Sequence, residues 1–224
     1  MTITPESVQK LLESDDYGDR LSGVTKLGHL DPAIAFPLVQ SVITDDNPRV
    51  RYSAVSKLAT LGTEDLAKTL ELLRDRLHHD SELDVKAAAA DSLGALKLVE
   101  AFDDLKQVYQ QSSDWIIRLS IVAALGEMGE PQAFEILQDA LQSEEDLVKG
   151  AAIGALGEQG DDRAVALLLP FIDHDDWQIR FRVAQALGRL GSTEARQALQ
   201  TLAGDSSEPV SREAQLSLEA KNVE

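Results

Sequence analysis

Ile179-Arg180-Phe181-Arg182-Val183-Ala184-Gln185-Ala186-Leu187-Gly188-Arg189-Leu190-Gly191 repeats the pattern of Val50-Arg51-Tyr52-Ser53-Ala54-Val55-Ser56-Lys57-Leu58-Ala59-Thr60-Leu61-Gly62. A β-branched residue, a basic residue, small and apolar residues, and a closing Leu-Gly occur in the same order. The basic anchor falls at Arg20, Arg51, Lys86, Arg118, Lys149 and Arg180, with spacings of 31, 35, 32, 31 and 31. Self-similarity at this period is the mark of a solenoid, in which each unit buries its apolar face against its neighbours. Such arrays work by presenting an extended surface, so function is sought on a surface rather than in a deep pocket.

Each unit reads as helix, turn, helix. Leu66, Leu70, Leu73 and Leu77 give a first helix its apolar stripe. A polar turn such as Thr44-Asp45-Asp46-Asn47-Pro48 follows. The second helix carries the basic anchor. At the start of the chain, Thr4 is placed to cap a helix with Pro5 as its first residue and Glu6 at the positive end of its dipole. Six units are expected between about residues 15 and 203, followed by a partial seventh at 205–224 in which Ser211 replaces the anchor and the last helix caps the array. The expectation is an all-α, right-handed α-solenoid forming a single domain over residues 1–224. Gly62, Gly129, Gly160 and Gly191 are expected as left-handed C-terminal caps. Gly28, Gly94, Gly126, Gly157 and Gly188 lie inside helices, where Gly costs about 1 kcal/mol relative to Ala. Close approach of a neighbouring helix would account for them.

Composition narrows the function. The chain carries 39 acidic and 21 basic residues, a formal charge of −18, which disfavours nucleic acid as a partner. Only 4% of residues are aromatic. Absence of cysteine excludes disulfides, thiolate catalysis and cysteine-ligated metal. Met1-Thr2-Ile3-Thr4-Pro5 opens no secretory signal, and no apolar run approaches a membrane span, so a cytoplasmic protein is expected. P-loop, dinucleotide-binding and nucleophile-elbow motifs are missing. His78-His79-Asp80 is no metal site by spacing, since adjacent helical side chains diverge by about 100°. Asp45, Asp46, Asp80, Asp114, Asp175 and Asp176 precede second helices as N-caps. The anchors as a set are expected to form a ladder, each bonded to an Asp or a carbonyl of an adjacent repeat.

The candidate surface lies where the units differ. Three residues before the anchors stand Tyr17, Pro48, Leu83, Trp115, Asp146 and Trp177. Both tryptophans of the chain therefore share one repeat position. Tyr52 and Phe181 each follow an anchor, and Arg182 stands where other units have Ser or Ala. Trp177, Arg180, Phe181 and Arg182 concentrate aromatic area and positive charge, with Trp115 and Arg118 a weaker version and Arg51 and Tyr52 a third. Trp and Arg are favoured binding anchors.

Asp176 to Arg180 and Ala184 to Gly191 resemble the HEAT-like repeats of the phycobilin lyase-like family, over nearly the whole chain. Further segments, including Thr4 to Val8, Asp31 to Phe36, Arg49 to Val55, Leu72 to Leu77 and Glu100 to Leu105, are similar to the cyanobacterial members that act in phycobilisome degradation. The resemblance implies HEAT-like helical hairpins and contact with phycocyanin-type or allophycocyanin-type subunits, possible cooperation with another degradation factor, and a place on phycobilisomes at the thylakoid surface. It implies no intrinsic cofactor, with phycocyanobilin as ligand or substrate and its detachment from a cysteine thioether as the activity. For that chemistry Arg51, Arg118, Arg180 or Arg182 would pair with bilin propionates. Tyr52, Trp115, Trp177 and Phe181 would stack on pyrroles, and Asp91 or Asp176 would shuttle a proton. Three alternatives stand beside it: a non-catalytic adaptor presenting antenna proteins for proteolysis, a bilin-attaching lyase subunit that needs a second chain, and a general assembly scaffold unrelated to bilins.

Overall fold

Every second helix begins three residues before its basic anchor, so the position that holds both tryptophans is the first residue of a helix. The computed structural model describes residues 3–220, and these form fourteen α-helices with no strand among them. The chain divides between Ala124 and Leu125 into two compact units. The first contains α1 (Pro5–Leu12), α2 (Tyr17–Leu27), α3 (Pro32–Gln40), α4 (Pro48–Leu61), α5 (Leu66–His79), α6 (Leu83–Ala95), α7 (Phe102–Gln111) and most of α8 (Trp115–Met128). The second contains the end of α8, then α9 (Phe134–Ala140), α10 (Asp146–Gln159), α11 (Arg163–Leu168), α12 (Trp177–Leu190), α13 (Thr193–Leu202) and α14 (Glu208–Ala220). Residues 221–224, the end of the expected seventh unit, lie outside the described residues.

Thr4 caps α1 in a reciprocal capping box with Ser7, and Pro5 opens the helix as its sequence position predicts. Within the first unit the second helices α2, α4 and α6 pack side by side. Within the second, α12 packs between α10 and α14. Val24, Val50, Leu58 and Leu93 are fully buried in one unit, and Val148, Leu156, Val183 and Leu187 in the other. Ala87 to Ala90 bury nearly the whole girth of α6, which is why so few aromatics suffice: small residues bring helix axes close enough for Leu and Val to fill the gaps.

Gly157 shows how close. A Cβ there would lie 2.6 Å from Ala186 Cα, and one on Gly188 would lie 2.4 Å from Ser217 Oγ. A Cβ on Gly126 would likewise lie 2.8 Å from Ala155 Cβ. In the second unit Gly126, Gly157 and Gly188 thus face a small residue of the next second helix. Gly28 differs, because it ends α2 and a Cβ there would meet Lys57 Nζ only at 3.5 Å.

Gly129, Gly160 and Gly191 adopt the left-handed conformation, with φ of 69°, 69° and 66°. Gly62 does not. Its φ is −67°, and the chain continues into a 3-10 turn, Gly62–Glu64, while the Thr69 hydroxyl donates to the Gly62 carbonyl at 3.0 Å. A hydrogen bond to the helix end replaces the left-handed cap. The corresponding place after α6 holds Lys97, which takes φ of 51° without being glycine; left-handed backbone costs a side-chain-bearing residue about 1–2 kcal/mol.

Two stability effects follow from this packing. Gly157→Ala is expected to destabilise by about 1–3 kcal/mol through overpacking. Gly154→Ala meets nothing within 4 Å and should stabilise by about 0.5–1 kcal/mol; urea unfolding of the two variants measures both. Lys97→Gly should raise stability by about 1 kcal/mol in the same experiment, because it removes the left-handed strain.

Candidate functional site

Arg180 decides the local structure of the site. Its Nε and Nη2 bond Asp205 Oδ2 at 2.6 Å and Oδ1 at 2.9 Å, and its Nη1 donates to the carbonyls of His174 and Asp175 at 2.6 and 3.1 Å. A planar fork of donors is what lets one side chain hold both partners. Arg20 does the same with Asp45 and the carbonyls of Ser14 and Asp15, and Arg51 with Asp80 and the carbonyls of Asp45 and Asp46. Each arginine ties the turn before its own helix to the turn of the next repeat. The expected ladder is therefore present at three anchors, and Arg51 and Arg180 are spent in it rather than offered to a ligand.

Asp176 caps α12 as expected, but two other aspartates take a different place. Asp45 and Asp80 are not N-caps. Asn47 caps α4, Glu82 occupies the N-cap position of α6, and the aspartates sit two residues upstream. Each accepts the arginine and also the backbone N–H two residues on, Asn47 at 2.8 Å and Glu82 at 3.0 Å. Asp205 does likewise with Ser207 at 2.7 Å. At Asp45 and Asp80 burial pushes the carboxyl up, but the arginine and the N–H outweigh it and hold each below the ordinary range. Arg180 is the main cause at Asp205, also lowered.

With its turn locked, α12 presents Trp177, Phe181, Arg182 and Gln185 to a cleft of about 790 Å³ in the second unit. Leu147 of α10 and Pro209 of α14 complete the walls. Trp177 is 43% exposed and Leu147 57% exposed. Arg182 lies across Gly150, where a Cβ would fall 2.9 Å from its Cδ, and makes no hydrogen bond or ion pair among the described residues. The two carboxylates at the rim are already used. Asp176 Oδ1 caps α12 by accepting from Gln178 N at 2.8 Å, and Asp146 is paired with Lys149 at 2.7 Å. Lys149 lowers the Asp146 carboxyl. The cleft thus combines exposed apolar walls with one uncommitted cation, an arrangement suited to a flat apolar molecule carrying a carboxylate.

The other candidates belong to the first unit. Tyr52, 49% exposed, lines a cleft of about 500 Å³ with Pro48, Arg49, Glu82 and Asp84. Trp115 is 40% exposed. Arg118 stacks on Tyr109 at 4.9 Å and donates to the Ser112 carbonyl at 2.9 Å. Asp91 of α6 lines neither cleft. Its side chain meets solvent, yet crowding by surrounding protein raises its carboxyl more than the hydrogen bond with Ser120 lowers it. His78 and His79 turn to different carboxylates, Asp104 at 2.8 Å and Asp75 at 3.2 Å. Leu147, Gln185 and Gly150 were not among the expected residues, although the repeat alignment contains them two before, five after and one after an anchor.

The family description HEAT repeats matches residues 4–94, 70–153 and 140–219. The chain belongs to the HEAT-repeat family. Among curated proteins, this HEAT-repeat chain is 31% identical over 120 residues to Protein HEATR9 of Homo sapiens, a match covering 50% of the chain and 20% of that protein, and 30% identical to the Macaca fascicularis protein of the same name over equal shares. It thus spans about a fifth of the length of the curated relatives it matches. Among solved structures, a chain of the complex of CpcE and CpcF of phycocyanin lyase from Nostoc sp. PCC7120 superposes with a TM-score of 0.65 at 21% identity, covering 98% of this chain and 95% of that one. An archaeal HEAT-like repeats protein from Thermococcus onnurineus NA1 superposes with a TM-score of 0.63 at 15% identity, over 100% and 98%. At these identities the likeness is one of HEAT-repeat fold. No helix among the described residues is long and apolar enough to cross a membrane.

The rungs fix the sign of a pH effect. Asp45, Asp80 and Asp205 have folded pKa values below the unfolded value of about 4, so their contribution is present above that pH and is lost as pH falls through the folded values. Asp91 acts oppositely, gaining stability as pH falls from its raised folded value towards about 4. The stability measured by urea unfolding is expected to fall below about pH 4. Asp80→Ala should cost about 3–5 kcal/mol at pH 7 by stranding Arg51, whose side chain is 10% exposed.

Proposed function

We propose that this HEAT-repeat protein binds phycobiliproteins and their bilins through the cleft of Trp177, Phe181 and Arg182, and that it assists detachment of phycocyanobilin from its cysteine thioether in phycobilisome degradation, at phycobilisomes on the thylakoid surface. The observation that carries the reading is the uncommitted Arg182 beside exposed aromatic surface, in a chain of net charge −18. An open-chain tetrapyrrole offers flat apolar rings for Trp177 and Phe181 and propionates for Arg182. The HEAT-repeat fold held in common with a subunit of the phycocyanin lyase complex, and the segment resemblance to phycobilisome-degradation proteins, support the choice of ligand.

Detachment is an elimination. A base takes a proton from the bilin carbon next to the one bearing sulfur, a double bond forms, the C–S bond breaks, and the thiolate takes up a proton. The leaving cysteine belongs to the substrate, so a lyase without cysteine is chemically complete. Asp146 and Asp176 at the cleft are already paired or capping. That observation favours a second reading, in which the protein holds the antenna and presents it to another degradation factor without performing the elimination.

Mixing the protein with chromophorylated phycocyanin while following absorbance and covalent bilin separates the two. Release in molar excess over the protein added supports detachment; stable binding with the thioether intact supports presentation; absence of binding overturns both. Trp177→Ala is expected to weaken binding about 30-fold, corresponding to the loss of a central anchor, and Arg182→Gln about tenfold. Arg180→Gln should instead lower unfolding stability, since Arg180 faces Asp205.

A further inference from the structure

The residue that receives each rung is readable along the chain. The turn positions corresponding to Asp45, Asp80 and Asp205 are Ser112, Ser143 and His174 in the other units. Each still accepts the backbone N–H two residues on, Ser112 from Asp114 at 3.1 Å, Ser143 from Glu145 at 3.2 Å and His174 from Asp176 at 3.1 Å. The turn is therefore kept while the carboxylate that would face an anchor is missing. Lys149 compensates by pairing with Asp146 in its own first turn, and Arg118 by stacking on Tyr109. Lys86 does neither. Its half-buried ammonium donates to the His78 carbonyl at 3.2 Å and has no anionic partner among the described residues.

Lys86 instead lines a cavity of about 230 Å³ in the first unit, with Gln111 and Ser112. Leu83, Val108 and Ile117 form apolar walls. His78 also lines the cleft; its ring is bonded to Asp104, and Asp104 is in turn paired with Arg74 at 2.6 Å, so that carboxylate is not left over for Lys86. The Ser112 hydroxyl spends a lone pair on Asp114 and keeps its proton to donate; Gln111 adds an amide. Three donors, one of them charged, and an apolar wall lie where an aspartate stands in the complete rungs.

We infer that the cavity beside Lys86 is a binding site for a short-chain carboxylate, which completes the rung between α6 and the turn at Ser112. The carboxylate group occupies the place of the Asp45, Asp80 or Asp205 side chain, and its alkyl portion lies against Leu83, Val108 and Ile117. The cleft is half open to solvent, so its three apolar residues cover only a short alkyl chain, and the donor set selects an acceptor-only anion over a neutral amide or alcohol.

Sodium propionate titrated at constant ionic strength, against sodium chloride, into the isotopically labelled full chain tests this by NMR. The expected result is saturable shifts concentrated at the amides of Lys86, Gln111, Ser112 and Ile117. Shifts that fail to saturate, or that chloride reproduces, overturn the inference. Ser112→Asp supplies the carboxylate internally and keeps the turn, as the aspartates of the complete rungs do. It should raise the thermal midpoint by about 2–4 °C and abolish the propionate response. A Ser112→Asp protein that is less stable than the parent, or still binds propionate with the same midpoint, also overturns it.

Discussion

A bidentate arginine–aspartate pair between successive turns is the constraint that fixes the starts of α2, α4 and α12. Arg20, Arg51 and Arg180 each use a guanidinium to close two structures at once, the turn behind them and the repeat in front. Asp45 shows the continuity: its carboxylate receives Arg20 and its carbonyl receives Arg51. Desolvating such pairs offsets most of their Coulomb attraction, so their contribution lies more in fixing register than in net stability. Lysine cannot substitute, because a single ammonium on a flexible stem has no fork to span both partners. Lys86 and Lys149 accordingly reach a carbonyl or a nearby carboxylate, and never both at once.

The opposite ends of the second helices are held by shape instead of charge. In the second unit Gly157 and Gly188 admit Ala186 and Ser217 to contact distance, while Arg180 fixes the start of α12. Pinned at both ends, α12 has little freedom to rotate. Trp177 and Arg182 are therefore directed by the packing around them, and Gly150 completes the placement by letting the Arg182 stem lie flat on α10. A surface held in this way is preorganised without a deep pocket, which would lower the ordering cost of the proposed binding.

Much of this was legible in the sequence, because the period exposes every position six or seven times. The helical hairpins, the small-residue contacts and the ladder follow from anchors and Leu-Gly ends that recur in register. Reading failed where two roles ask for the same residue type. Aspartate suits both an N-cap and a rung, so Asp45 and Asp80 read as N-caps although each stands two residues before that position. Glycine suits both a left-handed cap and a close contact; Gly62 is the second kind, with a Cβ position 2.5 Å from Thr69 Cγ2. Lys97 takes the left-handed turn that a search for glycine passes over. Arg180 and Arg182 look equivalent in composition, but residues two apart on a helix point to different sides. One enters the seam and the other the cleft.

Charge gives the cleft a further property. At −18 the chain as a whole repels an anionic ligand, while the exposed Arg182 would attract a carboxylate at short range. These effects respond to salt with opposite sign. The long-range repulsion is screened beyond about 8 Å at physiological ionic strength, so added salt speeds encounter, and it weakens the local pair to the extent that solvent reaches Arg182. An anion bound chiefly by stacking on Trp177 and Phe181 would therefore bind better as salt rises, and one bound chiefly by Arg182 would bind worse. A ligand of the proposed site would therefore need a broad apolar face and few charges, whereas a small, highly charged anion would meet the whole field and little of the wall.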